Sequence, residues 1–174
     1  MNESCKSVTQ IPTLLRTLTE LTRFRLGTHL NQEEDRLRLE VRKWSKDCLR
    51  LIQCYGDADD QSELVNIGYG RAISLSFYTA GGIGEGQDAK IEVGLNYIWW
   101  FLRELHEGRN NYPQPSFRPL PLLARRTEEQ IEEQGANEEI EAQMKNNGLG
   151  SGIKDWANGV KANILNRFIH NNRI

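Results

Sequence analysis

The residues of this chain that could do chemistry are its histidines, its cysteines and one glycine-rich segment. The three histidines are His29, His106 and His170. Each lacks a cysteine or carboxylate partner at the spacing of a zinc site. The glycine-rich segment, residues 81–86, superficially resembles a phosphate-binding loop, but it lacks the Lys-Ser/Thr ending and no convincing βαβ unit surrounds it. No serine or cysteine stands in a recognisable nucleophile signature. These patterns predict a protein that is not an enzyme and that uses no metal or cofactor.

The composition favours one folded unit without a membrane anchor. The chain has 174 residues, of which 38% are hydrophobic, so it can bury one core. Its formal net charge of -2 is not the basic balance of a wholesale nucleic-acid binder. Its three cysteines are odd in number and irregularly spaced, which favours a reducing compartment. No apolar run is long enough to span a bilayer and no signal-peptide pattern begins the chain. We therefore expect a soluble intracellular protein with no membrane partner and no small-molecule substrate.

The secondary structure predicted for the chain is helical throughout, so we expect an all-α fold in which helices position any functional site. Apolar periodicity indicates helices over about residues 11–26, 32–55, 62–83, 88–106 and 153–169, with an acidic helical stretch within 128–141. Residues 73–77 also alternate like a strand, but a lone strand would have no partner. Small residues between positions 68 and 76 would instead let another helix approach closely. We therefore expect a helical hairpin over about residues 32–83, reversed at the acidic turn 56–60.

The first arm of this hairpin has apolar residues that alternate four and three positions apart. They are Leu37, Val41, Trp44, Cys48, Leu51 and Tyr55. Such a stripe is narrow, which is typical of a helix that faces one other helix. The partner helix could lie in the same chain or in a second copy of it.

The helix over about 88–106 is apolar nearly all round, which predicts burial on more than one side. In a chain of this size, we expect the second side to face another subunit. Four of the five prolines then fall within Pro113–Pro121, so an extended arm is expected over residues 112–123. This arm carries Phe117 and Leu120, and an extended apolar segment needs a groove, either its own or a neighbour's. We divide the chain into an assembly domain, 1–124, and a tail, 125–174, with an acidic stretch and an amphipathic helix.

In this order, the pieces resemble the core (capsid) protein of the hepadnaviruses, and still more that of their non-enveloped fish relatives, the nackednaviruses. The likeness covers about Ile11 to Leu123. It is carried by Ile11-Pro-Thr-Leu-Leu-Arg, by Trp44, by Ala89-Lys-Ile-Glu with Tyr97 and Trp100, and by Pro115-Ser-Phe-Arg-Pro-Leu-Pro-Leu. No single motif is decisive, but the ordered set at nearly constant spacing is specific.

The resemblance implies a capsid subunit whose hairpin pairs with its twin as a four-helix bundle spike. The dimers would then join into an icosahedral shell through the proline arm. Phe117, Arg118 and Leu120 would enter or flank a pocket on the next subunit, with Trp100 as a pocket wall. The implied location is the virion capsid, and the cytoplasm or nucleus of the host cell.

The chain departs from this family in several places. The hairpin is shorter, Lys43 stands where the hepatitis B protein has a cysteine, and residues 104–111 are an insertion. The arginine-rich tail is missing, so genome packaging by a tail is not implied. Viral RNA or DNA would be contacted only weakly, with Arg125 and Arg126 as candidates, although such a pair is more often ordinary surface.

Two other classes of protein remain open. The segment 66–72, Asn-Ile-Gly-Tyr-Gly-Arg-Ala, faintly resembles the Asn-Trp-Gly-Arg signature of the Bcl-2-like apoptosis regulators, which are small, all-α and often viral. This would make the chain a viral binding module that inhibits apoptosis. A generic helical scaffold is the third class. Particle size separates them: a shell, a monomer or a small oligomer.

Overall fold

A computed structural model describes residues 11, 13–24, 31–78, 85–145 and 151–170. Within these ranges the chain forms eight helices and no strand, which confirms the all-α prediction. They are α1 (Leu14–Leu21), α2 (Gln32–Tyr55), α3 (Ala58–Asn66), α4 (Tyr69–Tyr78), α5 (Glu85–Glu107), α6 (Pro121–Glu133), α7 (Ala136–Met144) and α8 (Ser151–His170).

Helix α2 has the bounds that its periodicity predicts. The side chain of Asn31 accepts a hydrogen bond from the Glu34 amide at 2.9 Å, and acidic residues fill the first turn, where they favour the helix dipole. One face is buried within the chain, at Ser45, Leu49 and Ile52 among others. The helix packs chiefly against α1 and also touches α3 and α4.

The returning arm of the hairpin is two helices and not the single helix predicted over residues 62–83. Asp57 and Asp60 form a capping box that starts α3 earlier than expected, at Ala58. The arm then breaks at Ile67–Gly68, where Gly68 adopts a φ of +82°, a conformation that glycine reaches without strain. Residues 79–84, which hold most of the predicted glycine-rich turn, lie outside the described residues.

Helix α5 is the centre of the core. Its buried side chains are Ile91, Leu95, Ile98, Phe101, Leu102 and Leu105. It packs against α4, α6 and α8, which explains why its sequence is apolar on several sides. These neighbours belong to the same chain, so its apolar character does not require a second subunit.

The predicted close approach to the small residues of the returning arm is confirmed at Gly70. A Cβ there would lie 2.9 Å from Gln130 Oε1 and 3.1 Å from the Thr127 carbonyl oxygen, so the missing side chain lets α6 approach closely. Gln130 accepts a hydrogen bond from the Gly70 amide and donates one to the Val65 carbonyl. Its amide thereby joins α6 to the end of α3 and the start of α4.

The non-helical proline-rich stretch, residues 108–120, ends earlier than the predicted arm, and the chain after it joins the core. We call it the proline segment. The non-helical segment stops at Leu120, because Pro121 takes the first position of α6, where its missing N–H is not needed. Ile131, Ile140 and Ile153 are fully or nearly fully buried in the same hydrophobic cluster as α5. The described part of segment 125–174 therefore packs onto the predicted assembly domain.

The remaining helices occur where they are predicted, with different bounds. Helix α1 is shorter than 11–26, with Pro12 and residues 25–30 outside the described part of the chain. The acidic stretch forms α6 and α7, which meet at Gly135 with a φ of +74°. Among the described helices none has the length and apolarity to cross a membrane.

Candidate functional site

The narrow apolar stripe predicted on α2 lies on the surface of the single chain. Leu37, Trp44 and Leu51 repeat every seven residues, and their exposed fractions are 48%, 62% and 46%. Cys48 is also exposed, whereas Val41 and Tyr55 are half-buried. We call these six residues the α2 seam. An ordered row of large exposed apolar side chains is uncommon on a monomer and is typical of an interaction surface.

The seam and the buried face of α2 are neighbouring faces of one helix. Each buried position Arg38, Ser45 and Ile52 comes directly after a seam position, about 100° further round the helix. Leu39, by contrast, is 53% exposed but lies outside the seam. A helix with two adjacent packing faces can contact its own chain on one face and a second helix on the other, as helices of a four-helix bundle do.

The C-terminal end of α2 is held by Arg109, which follows α5. Its guanidinium donates to the carbonyl oxygens of Gln53 and Cys54 at 3.0 Å, and also to that of Gly56. Its Nε donates to the Pro115 carbonyl at 2.9 Å. The last carbonyls of a helix have no partner within the helix, and a cation there is favoured by the helix dipole. Arg109 therefore clamps the end of α2 to the proline segment.

Glu104 supplies the nearest countercharge to this buried arginine. Arg109 Nη1 lies 3.3 Å from Glu104 Oε2, and the Arg109 side chain has no exposed surface. Burial raises the pKa of Glu104 although Arg109 opposes that rise, and burial lowers the pKa of Arg109. Five hydrogen-bonding contacts around one guanidinium compensate for removing its charge from water.

Phe117 contacts its own chain. Its ring lies against the Arg109 guanidinium, 4.6 Å from centroid to Cζ, and the two residues exchange backbone hydrogen bonds at 2.9 Å. Leu120 is half-buried against the core, and its amide donates to the Leu105 carbonyl. Arg118 is exposed. The groove that this segment needed is thus partly supplied by its own chain, and a further contact with a second subunit stays a prediction.

Gly108 makes this arrangement possible. Its φ is +79°, and a Cβ there would lie 2.6 Å from the Phe117 carbonyl oxygen. The returning backbone of the proline segment therefore passes where any other residue would carry a side chain.

Trp100, the predicted pocket wall, and two apolar residues of the predicted arm are exposed. Trp100 is 38% exposed and makes an edge-to-face contact with Trp99 at 4.9 Å. Tyr112 is 99% exposed and Leu122 is 80% exposed. The structure does not bring Trp100 and Phe117 together by any described contact within one chain.

The predicted nucleic-acid residues have different surroundings. Arg125 forms an exposed ion pair with Glu129, one turn along α6, at 3.0 Å. Arg126 reaches across to α3, where its Nη1 donates to Asn66 Oδ1 at 2.7 Å. Arg126 therefore faces the α3–α4 turn, whereas Arg125 stays on the surface of its own helix.

Arg109 is the residue of this site that the sequence reasoning missed. Most of its hydrogen-bond partners are main-chain carbonyls, and main-chain groups leave no residue-type pattern. A single arginine after a helix ending in glutamates gives no usable signal. Among the described residues, no group of three or more histidine, cysteine or carboxylate side chains could hold a metal ion.

The chain matches no protein-family model, no curated protein and no solved structure. The likeness to viral core proteins therefore depends on the motifs in its sequence alone.

Proposed function

We propose that this chain is a viral capsid subunit that pairs through the α2 seam and assembles from dimers into a closed shell. The observation that carries the proposal is the seam itself. Leu37, Trp44 and Leu51 form a regular row of large apolar side chains that the chain leaves in contact with solvent. The order of motifs resembling hepadnavirus-like core proteins supports a capsid over other self-associating proteins.

A second copy of the chain is the partner that this row fits. A stripe with a seven-residue repeat is complementary to another helix of the same repeat, and a two-fold axis brings the identical stripe of a second copy against it. The α2 helix is 24 residues long, so the row extends over several turns. Its adjacent face is already packed on the chain's own core, which would hold each α2 at a fixed angle within a bundle.

Shell closure would need a second contact between dimers. The proline segment and the exposed residues Trp100, Tyr112 and Leu122 provide apolar surface for it outside the α2 seam. The Arg109 clamp ties this segment to the end of α2. A subunit built in this way would present its second contact at a fixed position relative to the dimer helix.

Two exposed leucines on α2 provide a matched test of the pairing. Leu37 belongs to the seam and Leu39 does not, yet their exposed fractions of 48% and 53% are similar. Leu37→Ala, alone or with Trp44→Ala, is expected to shift the protein from dimers or particles to monomers, because truncation of a packed interface side chain costs about 2 kcal/mol or more. Leu39→Ala is expected to behave like the wild type.

Size-exclusion chromatography with light scattering, followed by negative-stain microscopy, measures the outcome. Wild-type protein is expected as dimers that convert to particles of megadalton size when concentration or salt is raised. A wild-type monomer at high micromolar concentration overturns the proposal. Dimers that survive Leu37→Ala combined with Trp44→Ala remove α2 as the pairing surface.

A further inference from the structure

A cleft lined by arginines lies between α1 and the α3–α4 turn. Its volume is about 300 Å³, at the lower end of the range for small-molecule sites. Arg16, Thr19, Glu20 and Arg23 line one wall, and Asn66, Ile67, Gly68 and Arg71 line the other. Positions 16, 19, 20 and 23 recur at the spacing of one helix face, which is why α1 and the turn after it present them together.

The arginines of α1 and of the turn after it, Arg16 and Arg23, are not neutralised by described neighbours. Arg16 and Arg23 are exposed, and neither forms an ion pair with another described residue. Glu20 is the one carboxylate among the described lining residues. The wall from α1 therefore contributes two positive charges against one negative charge.

The opposite wall holds a third guanidinium in place. Arg71 uses Nε, at 3.2 Å, and Nη2 to bind Glu133 Oε2, so its Nη1 is left over from that ion pair. This Nη1 would lie 3.5 Å from a Cβ placed on Gly68, which puts it beside the turn that lines the cleft. The pair with Glu133 fixes the direction of the guanidinium while keeping donors for another acceptor.

Arg126 orients the remaining polar group of this wall. Its Nη1 donates to Asn66 Oδ1, so the Asn66 amide nitrogen is directed away from that contact and retains its donors. The cleft thus gathers guanidinium and amide donors from three parts of the chain. This is the donor set that recognises a multiply charged oxyanion, since guanidinium groups match phosphate oxygens in geometry and charge.

We propose that this cleft binds phosphate groups, held between Arg16 and Arg23 on one side and Arg71 and Asn66 on the other. The ligand would carry neighbouring phosphates, as the backbone of a single-stranded nucleic acid or a free polyphosphate does. The site lies within one chain, so it does not depend on the pairing through the α2 seam.

Binding of a labelled short single-stranded RNA and of tripolyphosphate to the full chain tests the site. Anisotropy follows the RNA and calorimetry follows tripolyphosphate, each over a series of salt concentrations. Arg16→Gln combined with Arg23→Gln is expected to weaken binding at low salt by about tenfold or more. For RNA it should also reduce the slope of log affinity against log salt by about 1.4, which is ~0.7 for each lost contact with a single strand.

The matched control is Arg36→Gln combined with Lys154→Gln. It removes the same charge from two exposed residues outside the cleft. This control is expected to keep the affinity within about twofold, since only long-range attraction is lost. Glu20→Gln is expected to tighten binding several-fold, because it removes the carboxylate that repels an anion.

The two ligands identify which molecule carries the phosphates. Binding of RNA without tripolyphosphate assigns the site to nucleic acid, and the reverse assigns it to free polyphosphate. Failure of the wild type to bind either ligand overturns the proposal, as does an equal loss in the control variant. Circular dichroism of each variant checks the fold. The oligomeric state, measured on the same samples, reports separately on the proposed pairing.

Discussion

Arg109 and Phe117 form a contact that is both a ring stack and a backbone pair. The guanidinium lies 4.6 Å from the ring centroid, while the two main chains exchange hydrogen bonds at 2.9 Å. The same guanidinium reaches the end of α2 through the carbonyls of Gln53 and Cys54. Through this contact, the proline segment and the predicted dimer helix share one anchoring residue.

Arg109→Ala is expected to destabilise the chain by about 3–5 kcal/mol. The change leaves the buried Glu104 without this countercharge and the carbonyls of Cys54 and Pro115 without this donor. The carbonyls of Gln53 and Gly56 keep the donor that Gln61 supplies. Arg109→Lys should rescue only part of this loss, because an ammonium group cannot reproduce the planar set of donors. Urea unfolding at fixed protein concentration measures both. The matched control is Arg103→Ala, since Arg103 is 41% exposed and pairs with Glu107 at the surface. Equal stability of Arg109→Ala and the control would contradict the clamp.

Phe117→Ala is expected to separate assembly from folding. The lost ring stack on the buried Arg109 should cost the single chain about 2 kcal/mol, which is less than the stability of a typical domain, so soluble helical dimers should remain. If the segment also joins dimers, as proposed, these dimers should not form particles at concentrations where the wild type does. Leu39→Ala, which truncates a 53% exposed side chain outside both proposed contacts, is the control. Turbidity and microscopy follow assembly. Normal particles from Phe117→Ala would exclude Phe117 from the inter-dimer contact.

Stability is expected to rise with pH through the titration of Lys46. Burial, followed by the charges of Arg42 and Lys90, lowers the pKa of this lysine to about 8 from an unfolded value of 10.5. Between these two values the unfolded chain binds more protons than the folded chain, so raising the pH favours folding. Below about pH 8 the buried charge carries its full cost, for which about 3 kcal/mol is the upper limit.

Lys46→Met should therefore be more stable than the wild type at pH 7, and the difference should vanish as the pH approaches 10.5. The difference in unfolding free energy between the variant and the wild type is measured at each pH, so that the contributions of other titrating groups cancel. Lys154→Met, which removes a lysine at an exposed position, is the matched control. A constant difference between Lys46→Met and wild type across this range would show that Lys46 is not desolvated.

Gly159→Ala is expected to destabilise the chain, although alanine favours a helix over glycine by about 1 kcal/mol. A Cβ at this position of α8 would lie 2.9 Å from the Trp99 ring, so α8 would have to move away from α5. Asn158→Ala, at the exposed neighbouring position, should instead be neutral or slightly stabilising. Thermal unfolding and Trp fluorescence measure both variants. A more stable Gly159→Ala would show that α8 does not pack closely on α5.

Local periodicity predicted the helical class and the bounds of α2, because the helical spacing of apolar residues repeats over many turns in a helix of that length. It could not predict the break at Gly68. A run of small residues is compatible both with one helix approached closely and with two short helices, and tertiary packing decides between them. The buried face of α2 was missed because Arg38 and Ser45, two of its positions, are polar. The arginine cleft was missed because Arg16 and Arg71 come from distant parts of the chain.

The carbonyls that Arg109 holds belong to the main chain, so they are present whatever side chains stand at Cys54 or Pro115. Residues 54 and 115 can therefore be substituted without altering the clamp, whereas arginine is the one residue that suits position 109. Diverged relatives are expected to keep an arginine and an aromatic residue facing each other across a short proline-rich loop, even where the rest of the sequence is no longer similar. Such a pair would be a more durable marker of common descent for this protein than the apolar row on its longest helix, where leucine, isoleucine and methionine can replace one another.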